Sequence, residues 1–442
     1  MHHNHKAPFP PWIAGDGIED VDDMTSRVGA RTPGMATGLS LLVPITLSTM
    51  AIVLLAPILP QLMAAYSHVP GYEYWVPMVL TMPALCVALL SPVAGVLGDV
   101  FGRRRLLILS LALYAVVGIA PLFLTNLWAI IGSRVLVGMA EAMIMVLTTT
   151  LIGDYFHGAA RDRWLAAQTA VASVSALIFF NLGGFLGGFG WQTPFWVYLS
   201  ALLMMVAIIV WTWEPSGDAV VSDAADAAGA SAHLHAHSSA NAGAVAGDAP
   251  PFPWRVMGGI IAVTIFASVL FYTVQIQASA GLAVLGLKDP AQIGFYTSIA
   301  SLGVPVGTMI YSRVSRARVG LLLLVEFGLL AIGFMLMSRA DTVPSFLIGC
   351  AINQLGAGML LPTLLVWAMS KLHFAVRGRG AGMWNGAFAL GQFLSPIIIA
   401  FSAARMGGLL PAFSVLAAAS LVACVAAIIM ALRRGAPVAA HG

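Results

Sequence analysis

The stretch SRVLVGMAEAMIMVLTTTLIGDYF contains Arg134, Gly138 and Glu141 at i, i+4 and i+7. That spacing sets all three on one face of an α-helix. At a rise of 1.5 Å per residue Glu141 stands about 10 Å along the axis from Arg134. A direct ion pair is not assured at that distance, but a water or a substrate group could bridge the two. The residues around them are almost all apolar, and a charge inside a bilayer costs about 2.5 to 3.5 kcal/mol on insertion scales. We therefore read Glu141 as a group that alternates between protonated and ionised forms beside Arg134. The competing reading is a static structural ion pair.

Other polar side chains are candidates for a substrate cavity. Asn385 and Gln392 lie seven apart on one helical face, with Phe388 near it, whereas Gln275 and Gln277 point about 200° apart on a regular helix. Asn353, Gln354, Asn181, Thr49 and Gln61 complete the set, and each serves equally well as a bond between helices. Trp384, Tyr272 and the apolar majority point to an amphipathic or lipophilic substrate, since a sugar site needs more paired polar groups and acids. Glu326, in LLLLVEFGLLAIGF, is a second acid inside an apolar run and needs a partner. Within the apolar segments no nucleophile with a base and no His or carboxylate cluster at metal spacing is seen, so neither an enzyme nor a metal site is expected there. The histidines of MHHNH and HLHAH have spacings that could bind a transition metal loosely, but they fall in polar segments and read as solvated tail and linker. Cys86, Cys350 and Cys424 all fall in apolar segments, which argues against a disulfide framework.

These residues need apolar helices to hold them, and composition supplies those. The 442-residue chain is 60% hydrophobic and only 9% charged, against roughly 25% charged in an average soluble domain. A helical crossing takes about 20 apolar residues. Twelve such segments are expected: 38–62, 75–98, 105–124, 127–153, 164–188, 194–213, 256–285, 291–312, 317–337, 343–370, 381–403 and 409–432. The runs are continuous, without the period-two alternation of a barrel. The expectation is an all-α membrane protein with twelve transmembrane helices in two six-helix halves.

All but four of the 21 Lys and Arg fall on one side of that arrangement; Lys288, Arg339 and Arg405 lie on the other and Arg134 within a span. By the positive-inside rule both termini are cytoplasmic. The same loops account for the net charge of +3 without any nucleic acid partner. The acidic N-terminal stretch GDGIEDVDDM lacks the apolar core of a secretory signal. The organisation read from these features is an N-terminal tail at 1–35, a six-helix half at 36–213, a linker rich in Ala, Ser, Gly, Asp and His at 214–254, a second half at 255–433 and a tail at 434–442.

ARDRWLA at 160–166 and VRGRGAG at 376–382 both join a fourth to a fifth helix, so the halves read as a weak internal repeat of the kind that builds secondary transporters. GVLGDVFGRRR at 95–105 then becomes informative. It resembles the loop between helices 2 and 3 of the major facilitator superfamily, with Gly95, Leu97, Gly98, Asp99, Gly102, Arg103 and Arg104 in register and Val100 in place of the usual Arg. Physically, Gly95 and Gly98 would admit a neighbouring helix, Gly102 a tight turn, and the arginines the anionic inner leaflet. The resemblance implies a cytoplasmic latch of Asp99, Arg103 and Asp154, closed against the N-terminal end of helix 11. The second-half counterpart, GTMIYSRVSRARVG, keeps Gly307 but has Tyr311 near the acidic position.

The Arg134, Gly138 and Glu141 stripe is similar to a helix 4 motif of proton-coupled members. FFNLGGFLGGFGW resembles an antiporter motif of helix 5 at Gly183, Gly187 and Gly188, with Gly184 where that family has Pro. Helix 9 is peripheral in the fold, which favours a structural bond for Glu326. Over residues 36 to 433 the chain thus resembles the twelve-helix drug and metabolite efflux branch. The resemblance implies a monomer in the inner (plasma) membrane that works by alternating access, exporting small amphipathic molecules with the proton gradient as energy source and no cofactor. Its partners are then the lipid bilayer, a small-molecule substrate and protons. Two alternatives are a proton symporter that imports an organic solute and a transporter-like membrane receptor without flux.

Overall fold

The structure, a computed structural model, describes residues 33–214, 252–373 and 377–432. Twelve helices in it are long and apolar enough to cross a membrane: α1 Met35–Ala65, α2 Tyr72–Phe101, α3 Arg103–Leu122, α4 Leu127–Tyr155, α5 Gly158–Gly187, α6 Thr193–Trp211, α7 Trp254–Val284, α8 Pro290–Val314, α9 Val319–Ser338, α10 Val343–Ser370, α11 Gly380–Met406 and α12 Leu409–Leu432. All twelve expected segments are present, and α10 and α12 share their expected bounds. The widest departure is α5, which begins at Gly158 instead of 164 because the polar ARDRW segment is itself helical. The outer parts of both tails, both histidine clusters and residues 215–251 of the expected linker lie outside the described residues.

Proline shapes the helices nearest the centre. α1 is interrupted by 3-10 turns at Val43–Ile45 and Ala56–Ile58, each with a proline in its first turn. A proline offers no N–H to the α-helical ladder and crowds the preceding turn, so the helix tightens or bends there. α2 carries Pro77, Pro83 and Pro92 inside a continuous helix.

Each half builds its own core. One cluster runs from Leu41 to Ile208 and the other from Phe252 to Ala427. Between these two clusters of described residues the link is on α7: Ile276 belongs to the N-terminal core and Tyr272 packs against both. Outside the cores, Leu89, Val116, Leu203 and Val422 are exposed. That apolar surface fits hydrocarbon, where a helix already satisfies its own backbone.

The halves also meet where α5 passes α8. A Cβ on Gly184 would stand 2.4 Å from the Pro290 carbonyl oxygen, and one on Gly294 2.3 Å from that of Phe180. Gly187 packs in the same way on Ile58 of α1 and on Pro290. These contacts lie at the end of α5 and the start of α8, on the face away from the 215–251 linker. The halves are therefore closed together on that face.

Candidate functional site

Glu141 is 4% exposed, and its Oε2 has no hydrogen-bond partner among the described residues. Ser48 of α1 faces the carboxyl as a hydrogen-bonding side chain, and Cys86 of α2, Tyr114 of α3 and Tyr272 of α7 lie within electrostatic reach. Close packing holds it there: a Cβ on Gly138, one turn earlier on α4, would be 2.6 Å from the Pro83 Cα of α2. An acid without an ion pair thus sits where α1, α2 and α4 of one half approach α7 of the other.

Arg134 is fully buried but serves a different neighbourhood. Its Nη2 donates to the carbonyls of Gly118 at 3.1 Å and Val117 at 3.5 Å, near the C-terminal end of α3. The guanidinium lies over the rings of Phe195 (5.1 Å) and Tyr198 (4.9 Å) of α6. The negative end of a helix and two π faces both favour a cation, and among the described residues no ion pair joins Arg134 to Glu141. The two residues that the sequence sets on one face form no direct pair, but Arg134 stays within electrostatic reach of Glu141, and its Nη1 has no hydrogen-bond partner among the described residues. Arg134→Ala should therefore destabilise the N-terminal half by about 2 to 5 kcal/mol, the range for emptying a large buried site. Thermal unfolding in detergent would show it as a lowered Tm, with a much smaller change for Glu141→Gln.

Across from Glu141, the C-terminal half presents aromatic rings. Trp384 stacks on Phe388 at 5.5 Å and 6°, and Phe388 meets Tyr272 at 5.3 Å and Phe271 at 6.0 Å. Trp384 Nε1 is buried without a partner among the described residues. Behind this row, Gln275 Nε2 donates to Gln354 Oε1 at 2.6 Å, Gln354 Nε2 to Asn353 Oδ1 at 3.4 Å, and Asn353 Nδ2 to the Leu330 carbonyl at 3.4 Å. Three expected cavity residues are thus brought together as a chain binding α7, α10 and α9, with Gln275 Oε1 left unpaired. Gln277 and Gln392 are buried, and Thr49 is half-buried next to Ser48. Asn385 is exposed on α11. Asn181 departs furthest from the expectation: it donates to its own helix at Leu177 and shares an exposed stripe with Val174, Ile178 and Phe185. Gln61 ties α1 to α5 through the Gly187 carbonyl at 3.1 Å.

The loop between α2 and α3 forms a charged knot. Arg103 Nη1 contacts both oxygens of Asp154 at 2.5 and 2.6 Å, while its Nη2 and Nε reach Asp99 Oδ1 at 2.7 and 3.1 Å. Gly102 takes φ of +87°, which few side chains tolerate. Gly98 does admit its neighbour, since a Cβ would fall 2.5 Å from Leu147 Cδ2, but at Gly95 the nearest contact is 4.0 Å away and no close approach needs a glycine. The side chains opening α11 lie outside the described residues, so the latch is seen here only on its N-terminal side. Arg103→Ala leaves two carboxylates facing each other. Charge-assisted hydrogen bonds contribute about 1.5 to 3 kcal/mol, and a loss of that order, read by thermal unfolding, is expected together with slower transport.

With these sites described, comparison with known proteins is decisive for the family. Residues 41–396 match the sequence model of the Major Facilitator Superfamily. The chain belongs to that family. Among relatives, the chain is 31% identical over 187 residues to "Multidrug efflux pump LfrA" of Mycolicibacterium smegmatis, covering 40% of this chain and 36% of that protein. It is 28% identical over 164 residues to "Tetracycline resistance protein, class B" of Escherichia coli, covering 37% and 40%. The chain thus spans well under half the length of these two drug-resistance relatives. The crystal structure of a D-xylose-proton symporter superposes with a TM-score of 0.70 at 13% identity, over 91% of this chain and 98% of that one, and shows the fold alone. With twelve helices long and apolar enough to cross a membrane, the chain is a multi-pass membrane protein of a family of transporters, not of enzymes.

The expected Arg104 extends the knot to the end of α6, through partners that the sequence reading did not name. Arg104 Nε donates to Thr212 Oγ1 at 3.2 Å and its Nη2 to the Ile209 carbonyl at 3.0 Å, while its backbone N–H meets Glu214 Oε1 at 3.3 Å. Tyr155 bonds the backbone of Trp213. The end of α6 is therefore strapped to the loop. A sequence signal existed, since TWE places the first acid after the sixth apolar run, on the same side as the three arginines.

Proposed function

We propose that this facilitator exports small amphipathic or lipophilic organic molecules in exchange for protons, by alternating access between its two halves. The observation that carries the reading is Glu141: a buried carboxyl without an ion pair, next to the α7 seam and within electrostatic reach of Tyr272. Tyr272 also belongs to the aromatic row with Phe388 and Trp384. An isolated acid is costly to ionise in a dry site, and a site that admits water or a polar substrate group lowers that cost. Proton release from Glu141 is thereby tied to whether the site is hydrated or filled. Stacked rings bind flat apolar molecules by area and by face and edge contacts, and Gln275 Oε1 and Trp384 Nε1 are polar groups available for orientation.

In this reading Arg134 holds α3, α4 and α6 in register, and Glu141 alone carries the proton. The Arg103 knot keeps α2, α3 and α4 as one body while the halves rock. The linker face is cytoplasmic by charge, and the closed face is then external. The protein acts as a monomer in the plasma membrane and needs no cofactor. The test is dye binding and pH-gradient-driven dye movement in proteoliposomes, with Phe388→Ala expected to weaken binding of a flat lipophilic dye by roughly ten-fold, the order of one lost aromatic contact with its buried area. Unchanged binding would remove the aromatic row from the site.

A further inference from the structure

Glu326 lies outside that site and is the other fully buried acid. It projects from α9 onto Thr363 of α10. Thr363 Oγ1 is 2.5 Å from Glu326 Oε1 and 3.1 Å from the Met359 carbonyl oxygen. A threonine hydroxyl has one hydrogen and can otherwise only accept. The Met359 carbonyl also only accepts, so when it takes that hydrogen an ionised Oε1 would face Oγ1 at 2.5 Å with no hydrogen between them. Both contacts are full two-centre hydrogen bonds when the carboxyl itself holds a proton and donates it to Thr363, whereas an ionised carboxyl would have to share the single Thr363 hydrogen with the Met359 carbonyl.

The surroundings agree with a neutral acid. The ion pairs among the described residues all belong to Arg103, so no Lys or Arg pairs with Glu326. Of the titratable groups on the helices packed around it, α8 contributes Tyr311 and α12 contributes Cys424, whose thiol is directed to the Leu324 carbonyl; α10 presents Thr363, which does not titrate. α9 and α10 touch nearly backbone to backbone beside it, with a Cβ on Gly356 falling 2.9 Å from the Glu326 carbonyl oxygen. A bare carboxylate in such a place carries a penalty of several kcal/mol.

We propose that Glu326 is a second proton-binding site, confined to the C-terminal half, whose proton bonds α9 to α10 through Thr363. Loss of the proton would turn the Thr363 hydrogen from Met359 to the carboxylate and leave a charge between two helices. The site stands apart from Glu141 and does not depend on the transport reading.

Infrared spectroscopy of the full chain in lipid at neutral pH tests it through the carbonyl stretch of protonated carboxylic acids. The expected result is a component present in wild type and in Glu141→Gln, absent from Glu326→Gln, and shifted to the frequency of a free acid in Thr363→Val. Glutamine keeps the shape and the acceptor, and helical circular dichroism with a single elution peak checks that each variant is folded. A Glu326→Gln spectrum that overlays wild type in this region would show the group to be ionised and overturn the proposal. A component unmoved by Thr363→Val would overturn the bond.

Discussion

Glu141→Gln should keep substrate binding and abolish proton-driven transport. Glutamine retains the volume and a carbonyl acceptor for Ser48 but carries no titratable proton, so it imitates the neutral acid permanently. Binding depends on the rings of Trp384, Phe388 and Tyr272, which the substitution does not touch. Downhill exchange of labelled for unlabelled substrate should therefore persist within a few-fold, while uphill movement driven by a pH gradient falls to the protein-free background. This split separates coupling from folding. Loss of both activities in a folded protein would make Glu141 a binding or packing residue, and retention of both would move coupling elsewhere.

Gly184→Ala is expected to open the face that the structure shows closed. The added Cβ would meet the Pro290 carbonyl oxygen at 2.4 Å and the Gly294 Cα at 3.0 Å, and both are backbone atoms that no rotamer change can move. Overpacking of this kind costs about 1 to 3 kcal/mol. The cost falls only on the conformation in which α5 and α8 touch, so the equilibrium between states shifts by roughly ten-fold at 1.4 kcal/mol. Ile58 is covered in the closed state and contacts Gly187. A cysteine introduced there should react with a water-soluble thiol reagent about ten times faster in the Gly184→Ala background. The three native cysteines are buried and supply the low baseline. An unchanged labelling rate would mean that α5 and α8 can part locally without moving the halves.

The same glycine shows what a sequence can and cannot disclose. Small residues near the end of α5 are legible as a packing surface, and the twelve spans follow from hydropathy because a bilayer imposes length and polarity on every crossing. Asp99, Arg103 and Asp154 are legible as a group through the resemblance to the family's loop motif, and they meet in space. Arg134 is a different case. Its partners are two backbone carbonyls and two rings that approach from α3 and α6, and carbonyls leave no trace in residue identity. Its helical alignment with Glu141 is correct as periodicity and brings no direct bond, although the guanidinium stays within electrostatic reach of the carboxyl. Asn181 fails for a related reason, since angle along one helix does not say which side its neighbours occupy. Gln275, Asn353 and Gln354 read equally well as cavity groups or as bonds between helices, and only their mutual distances identify the chain they form.

The central claim is that one buried acid ties proton movement to passage of an apolar molecule. Proteoliposomes of the wild-type chain, loaded with a pH-sensitive dye and offered a panel of flat lipophilic dyes under an imposed pH gradient, test it most directly. The account predicts that at least one compound moves against the proton flux, speeds the collapse of the gradient and accumulates in proportion to it. Compound movement that is indifferent to the size and sign of the gradient would contradict the account, and the protein would then be a passive facilitator.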